Sequence, residues 1–451
     1  MNGGPAASIK QMISREQFIS GAAVAAASQG AAATERPNIV LILADDLGYG
    51  DIGCFGAAQY RTPNLDRLAA EGARLTSHYV CAPVCSPSRA GLLTGRYPQR
   101  TGVTGVLRDQ DDQTGLALGE QTVADLFSRA GYETFLIGKW HLGVPPEYWP
   151  RRRGFQYFYG FLSGSIDYNT HLSLGGGAKG RRATYRNEMR IEEEGYLPDL
   201  LHQEAVRVIE QRRPRPFFLF LSHPLPHTPL QAPDRWVSGY RHLGGKKAIY
   251  AGMIACLDDG VGQVMRALDR MRLREQTMVV FFSDNGASKL AMHADVRDAA
   301  SNGPFRGGKY ELTDGGLRSP CMVRWPRRVP AGASIDTPVT NLDWLPTFRD
   351  AAGIAEAATH PLDGVSLLPL LTARKPPAER TLFWTFEDQL VRTPRSWAAR
   401  TGPWKYLRVG DKEMLFDVQL DPGESKDLSA LHPELVTRFR SRILAWQDAV
   451  R

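Results

Sequence analysis

The chain has 451 residues, 43% of them hydrophobic and 23% charged, with a formal net charge of +7. That length exceeds a single core and calls for about two domains. The composition excludes a long disordered region, and the charge lacks the Lys/Arg stripe with interleaved aromatics that nucleic-acid binding requires. Arg151-Arg152-Arg153 and Arg212-Arg213 read as solvated surface. No run reaches the ~20 apolar residues of a membrane span. The cysteines, Cys54, Cys81, Cys85, Cys256 and Cys321, are too sparse and odd in number for a disulfide scaffold. Cys81-x-x-x-Cys85 has no second Cys/His pair at zinc-site spacing.

In chain order, residues 1–34 come first as a signal-like or flexible segment. Lys10 and Arg15 precede an apolar stretch over 18–27 and small residues up to Ala33, an order that resembles a bacterial export signal. Glu16 stands where a twin-arginine signal has its second arginine. The expectation is a periplasmic or otherwise exported protein, with a cytoplasmic one as the alternative. A main domain over 35–372 opens with the apolar run 38–43, as in a strand covered on both faces. It delivers Asp45-Asp46 and a turn through Gly48, Gly50 and Gly53. Residues 62–72 read as a helix, with Thr62 as cap, Pro63 in the first turn and Gly72 as stop.

Cys85-Ser86-Pro87-Ser88-Arg89 then opens another helix, with Ser86 as N-cap and Pro87 at the first helical position. Cys85 would sit where free N–H groups and the helix dipole converge, which lowers a thiol's pKa and draws an anion. Arg89 brings a cation to the same point. Further apolar runs at 132–138, 217–221 and 278–282 deliver Lys139-Trp140-His141, Ser222-His223-Pro224-Leu225-Pro226-His227 and Ser283-Asp284-Asn285. A helix carries Leu200, Leu201, Val206 and Ile209, and a long one spans about 247–271.

Strands alternating with helices predict an α/β fold built on a large, mostly parallel sheet sandwiched by helices, with ligands at the C-terminal rim. After the linker Arg374-Lys375-Pro376-Pro377, four short strands and a terminal helix predict a small antiparallel sheet plus helix over 373–451.

The candidate metal ligands are Asp45, Asp46, Asp284 and Asn285. Three carboxylates and an amide oxygen are hard donors that suit Ca²⁺ or Mg²⁺, and such charges are costly to bury without a cation. The candidate catalytic residues are Cys85, Arg89, Lys139, His141, His227 and Lys309, the last preceding Asp314-Gly315-Gly316-Leu317-Arg318. His223 is a nearby histidine outside the His-x-Pro context of His227. Residues lining a substrate would come from 157–171 and from around His293.

Cys85-Ser86-Pro87-Ser88-Arg89 followed by Leu93-Thr94-Gly95-Arg96, with Gly138-Lys139-Trp140-His141-Leu142-Gly143, resembles the type I sulfatases of the alkaline-phosphatase-like superfamily, in the arylsulfatase A and N-acetylgalactosamine-6-sulfatase branch. The resemblance implies an enzyme that hydrolyses sulfate monoesters of aryl or sugar substrates. It implies that a separate maturase oxidises Cys85 to formylglycine, whose hydrate attacks sulfur. It also implies one divalent metal, Ca²⁺ before Mg²⁺, on the four ligands named above. Lys139 and Lys309 would stabilise the sulfate, Arg89 would hold the hydrate, His227 would serve the departing oxygen, and His141 would take the proton that lets the aldehyde reform. A phosphate or phosphonate monoester hydrolase, or an anion-binding protein with unmodified Cys85, is the alternative.

Overall fold

Apolar runs without polar alternation form strands where both faces are covered, and four such runs build the centre of a ten-stranded sheet. In the computed structural model, Asn38–Ala44 lies between Phe217–Ser222 and Thr277–Ser283 and runs parallel to both. Glu133–Lys139 follows beside Phe217–Ser222, and Tyr157–Phe161 beside that, again parallel. Antiparallel neighbours, Cys321–Arg324 and Thr184–Arg186, begin the two flanks. The structure describes residues 1, 36–108, 114–175, 179–211, 214–389 and 391–450. The export-signal reading and Arg212-Arg213 therefore lie outside the described residues. The contacts divide the chain after Glu35, and all these strands belong to the unit Arg36–Arg451. Among the described residues, no helix is long and apolar enough to cross a membrane.

Side chains alternate across each strand. Val40, Ile42, Leu219, Leu221, Val279 and Phe281 share one layer with the helices Pro63–Ala70, Leu197–Glu210 and Gly245–Arg270. Ile39, Leu41, Leu43, Phe218, Phe220, Val280 and Phe282 share the other with Cys85–Thr94, Val123–Arg129 and Trp344–Ala351. Each fully buried side chain of this kind contributes about 1.5–3 kcal/mol, so the two layers fix the strand register. Gly138 is obligatory in that packing. Its φ is +108°, and a Cβ there would lie 2.0 Å from the Ser222 carbonyl oxygen.

Towards the C-terminus the chain forms an antiparallel meander of Leu382–Asp388, Thr393–Thr401, Trp404–Val409 and Lys412–Asp417. Leu382, Trp384, Phe386, Ala398, Leu407 and Phe416 cover one face, against Tyr79, Val84, Leu312 and Leu317 of the larger body. Ala399, Tyr406 and Leu415 lie on the other, under Val436, Phe439 and Ile443 of the terminal helix Pro433–Ala449.

Two local readings change. The cysteine-bearing helix begins at Cys85 itself, with Val84 extended before it, so Ser86 lies inside the first turn. Its hydroxyl accepts the Leu107 N–H at 3.0 Å and caps nothing. Arg153 is also not surface. It is buried and donates to the carbonyls of Leu116, Ala117 and Glu120, which the loop cannot satisfy internally.

Candidate active site

Strand register sets the level of the rim. Leu43 pairs with Ser222, Gly138 with Ser222, and Ala44 with Ser283. The residues that follow therefore emerge side by side. The ladder continues past the strands: the Asp284 N–H donates to Ala44 O at 3.0 Å, His223 N–H to Leu43 O at 2.8 Å, and Asp45 N–H to Leu225 O at 3.1 Å.

Asp45, Asp46, Asp284, Asn285, Arg89, Lys139 and Lys309 are all buried there. Arg89 reaches from the Cys85–Thr94 helix and places Nε and Nη2 at 2.9 and 2.8 Å from Asp284 Oδ2. Its Nη1 donates to Ser222 Oγ at 2.5 Å and to the Lys139 carbonyl at 3.3 Å. Lys139 Nζ lies 2.6 Å from Asp45 Oδ2, and Lys309 Nζ lies 2.8 Å from Asp46 Oδ2. Asn285 Nδ2 donates to Asp46 Oδ1 at 2.7 Å, and the Asp46 N–H to Asp284 Oδ1 at 3.2 Å. Asp46 adopts φ +62°, a costly conformation for a side-chain-bearing residue held where the surroundings over-determine it. Within this cluster two buried oxygens have no hydrogen-bond donor: Asp45 Oδ1, with Arg89 Nη2 3.8 Å away, and Asn285 Oδ1. A buried anionic oxygen left this way is expensive, and a hard cation is the group that three carboxylates and an amide oxygen would satisfy.

Electrostatics divide the acids. Burial, then the neighbouring Asp45, pushes Asp284 up to about 6. Burial acts the same way on Asp46, but Lys309 and His227 outweigh it and hold that carboxyl well below its usual range. Burial opposes the charge on Lys309, yet Asp46 keeps it firmly protonated. The Cys85 thiol departs from expectation. Burial raises its pKa and outweighs the charges of Lys139 and Lys309 that lower it. The helix N-terminus is real, but a fully enclosed sulfur loses more hydration than the dipole returns.

Both expected histidines stand at the rim with defined tautomers. His141 Nε2 lies 2.8 Å from the Leu107 carbonyl and so carries the proton, while its buried Nδ1 has no partner. That leaves a lone pair on Nδ1, and burial with Lys139 keeps the ring uncharged. His227 Nδ1 lies 2.6 Å from the Thr228 carbonyl, and Nε2 is 3.7 Å from Asp46 Oδ2. Burial, above all, pushes His227 down to about 3. His223 turns away and pairs with His202.

Ser222 escaped the sequence reading. Its Oγ ties Arg89 to the Lys139 carbonyl, donating to the latter at 2.5 Å. A polar residue ending an apolar strand was its one signal. Of the stretch 157–171, Gly164 abuts the His141 ring and the Tyr168 hydroxyl donates to the Pro224 and His227 carbonyls. Tyr157 begins its strand at the opposite edge and donates to Glu204, and His171 is buried against the Gly195 carbonyl. These two do not line the site: Tyr157 stands at the wrong end of its parallel strand, and His171 lies in the loop beyond it, turned to the Gly195 carbonyl. His293 is half-buried, with Nδ1 2.8 Å from Ser288 Oγ, and feels the charges of Lys309 and Asp46.

The Sulfatase family model matches residues 37–354, and the model described as N-sulphoglucosamine sulphohydrolase, C-terminal, matches residues 308–447. The chain is 32% identical to steryl-sulfatase of Mus musculus, over 93% of this chain and 82% of that protein. It is 34% identical to N-acetylgalactosamine-6-sulfatase of Canis lupus familiaris, over 86% and 77%. The crystal structure of Ps i-CgsB in complex with k-i-k-neocarrahexaose superposes with a TM-score of 0.86 at 32% identity, covering 91% of this chain and 93% of that one.

Proposed function

The chain belongs to the sulfatase family and hydrolyses sulfate esters; from that premise we propose that Cys85 is matured to formylglycine and works beside one divalent cation on a sulfated sugar or aryl sulfate. The observation that carries the reading is the pair of donorless oxygens, Asp45 Oδ1 and Asn285 Oδ1, in a buried cluster whose charges act on Cys85. Asp45, Asp46, Asp284 and Asn285 would hold the cation, Ca²⁺ before Mg²⁺, which supplies positive charge to the sulfate oxygens. A hydrated aldehyde at 85 would supply a nucleophilic hydroxyl for sulfur and a second hydroxyl whose deprotonation would let the sulfate leave.

The chain's own residues do the rest. Arg89, anchored on Asp284, Ser222 and the Lys139 carbonyl, fixes the floor of the site without moving during reaction. Lys139 and Lys309 set two cations around the position of residue 85 and favour charge that grows on the sulfuryl oxygens. His141 Nδ1, with its lone pair and no competing bond, is placed to accept a proton. Lys309, firmly protonated, is the standing cation for the departing oxygen and the source of its proton, which passes directly or through the Nε2 lone pair of His227, uncharged at rest. A sugar substrate is favoured by the likeness to N-acetylgalactosamine-6-sulfatase and to the oligosaccharide-bound Ps i-CgsB.

The test pairs mass spectrometry of the peptide containing Cys85 with turnover of aryl sulfate, aryl phosphate and a panel of sulfated monosaccharides. The fraction of aldehyde at 85 is expected to track sulfate release, and Cys85→Ala to abolish it. Sulfate release by a fully thiol preparation, or faster turnover of aryl phosphate, overturns the reading.

A further inference from the structure

Two of the histidines that the reaction does not use are in contact with each other. His202, from the helix Leu197–Glu210, and His223, just past the strand Phe217–Ser222, are both buried, with their Nε2 atoms 2.6 Å apart. Hydrogen-bond bookkeeping fixes every proton in the pair. The Leu225 N–H donates to His223 Nδ1 at 3.1 Å, so that nitrogen carries a lone pair. Neutral His223 must then bear its proton on Nε2 and donate it to His202 Nε2. His202 in turn keeps its proton on Nδ1, a buried atom with no hydrogen-bond partner. Both rings are uncharged: burial pushes His202 down to about 4 and His223 well below its usual value.

This assignment also disposes of the other use of the cluster. Asp199, His202 and Cys256 lie close enough to suggest a metal site. A metal needs a free lone pair on the imidazole, and His202 has none to give, since Nε2 accepts from His223 and Nδ1 is protonated.

The pair continues into the active rim. Leu225, which donates to His223, accepts the Asp45 N–H through its carbonyl at 3.1 Å. Two residues on, the His227 N–H donates to the Pro224 carbonyl at 3.1 Å. The 223–227 loop is thus tied on one side to the histidine pair and on the other to the backbone of a candidate metal ligand. A third element makes room for it. Gly260, in the helix Gly245–Arg270, faces His202 so closely that a Cβ would lie 2.1 Å from Nε2.

We propose that His202 and His223, with Gly260 leaving space for them, are positioning residues that fix the 223–227 loop and so aim His227 and hold the Asp45 backbone. The inference rests on the reading of His227 and Asp45 given under Proposed function. His202 touches neither substrate nor metal; it acts through the His223 ring, whose donor it accepts. A buried N–H that loses its acceptor costs more than the bond itself was worth, and the cheapest escape is for the loop to turn.

The experiment compares His202→Phe, which keeps the volume and deletes the acceptor, with His202→Gln, which keeps an acceptor, and with Gly260→Ala. Steady-state hydrolysis of aryl sulfate by the matured enzyme is read alongside thermal unfolding. His202→Phe and Gly260→Ala are expected to lower kcat about tenfold or more with KM little changed, as a small misplacement of a reacting group does. His202→Gln is expected to recover most of that loss. Wild-type kcat in His202→Phe overturns the proposal. So does equal impairment of the Phe and Gln variants, which would make the site one of packing alone. His227→Ala separates the underlying reading. Should that variant keep full turnover, the role of His227 fails whatever His202 does; should it lose turnover while His202→Phe does not, the positioning proposal alone fails.

Discussion

Two buried ion clusters sit in this protein, and they are finished to different degrees. The first is the rim cluster of Asp45, Asp46, Asp284, Arg89, Lys139 and Lys309. The second lies at the seam with the C-terminal meander. There Lys405 Nζ is 2.6 Å from Asp314 Oδ1 and 2.9 Å from Glu424 Oε1. The Tyr79 hydroxyl donates to Asp314 Oδ2 at 2.6 Å, and the Asp314 N–H donates to Glu424 Oε2 at 2.8 Å. Arg400 donates to the Tyr79 hydroxyl and closes the set. At the seam both Asp314 oxygens accept hydrogen bonds, and Glu424 Oε1, which has no hydrogen-bond donor, still faces Lys405 Nζ at 2.9 Å. At the rim Asn285 Oδ1 has no donor, and the cation nearest the donorless Asp45 Oδ1 is Arg89 Nη2 at 3.8 Å. A cluster that serves stability has its charges matched closely by its own chain; one that serves chemistry keeps places for groups the chain does not contain.

The sharpest way to break that contrast is Asp284→Asn. The rim carboxyl is held against its preference, since burial and Asp45 push it up to about 6. The amide is expected to lower aryl-sulfate turnover by about 10³-fold while leaving the melting temperature in chelator undiminished. A fall in both would place Asp284 in the same class as the seam acids.

Lys405→Met makes the reciprocal test. It strands two buried carboxylates and is expected to destabilise the fold by roughly 3–5 kcal/mol, read by denaturant unfolding, with kcat per folded molecule unchanged. The same variant alters acid behaviour. Burial would raise Asp314, but Lys405, Arg318 and Arg400 hold it down to about 2, below its ordinary 3.8. Its stabilising contribution is therefore complete above pH 3.8 and is lost as pH falls towards 2. Glu424, which burial pushes up, gives a slope of opposite sign only at higher pH, so the acid arm reports Asp314. Removing Lys405 should bring acid unfolding in at higher pH. The smallest effect belongs to Arg440→Ala. That arginine pairs with Glu413 on the exposed side of the same meander, and solvent screening should leave the melting temperature unchanged.

Most of the rim was legible in the sequence because Asp45, Asp46, Lys139 and Asp284 end or follow apolar runs that can only be inner strands. Arg89 sits one turn into the Cys85 helix, and Lys309, in a loop, was reached through the resemblance alone. Once Asn38–Ala44 and Thr277–Ser283 pair in register, Asp45 and Asp284 have nowhere else to go. The meander was legible too, from short alternating strands broken by Gly, Pro and Asp. The seam was not. Asp314, Lys405 and Glu424 belong to three separate stretches, and no spacing rule links them. Ser86 misled because a serine before proline matches the cap pattern, while the extended residue that precedes the helix is Val84. The thiol of Cys85 misled for an energetic reason: sequence shows the dipole but not the depth of burial. Strands as short as Ala73–Leu75 and its edge neighbour Ala333–Ile335 carry too few residues to show a period.

The contacts of the meander with Tyr79, Val84, Leu312 and Leu317 have a bearing on how this chain can be cut or recombined. Val84 immediately precedes Cys85, and Leu312 follows Lys309 by one turn of chain. The Trp384 indole N–H also donates to the Val80 carbonyl at 2.7 Å, upstream of the same helix. Truncation near Arg374 would strip the underside of the nucleophile segment and expose the carboxylate of Asp314, leaving it Arg318 but neither Lys405 nor Arg400. Grafting a foreign tail would require that its replacement for Lys405 land on the same acid. The tail and the nucleophile segment are two sides of one packed surface.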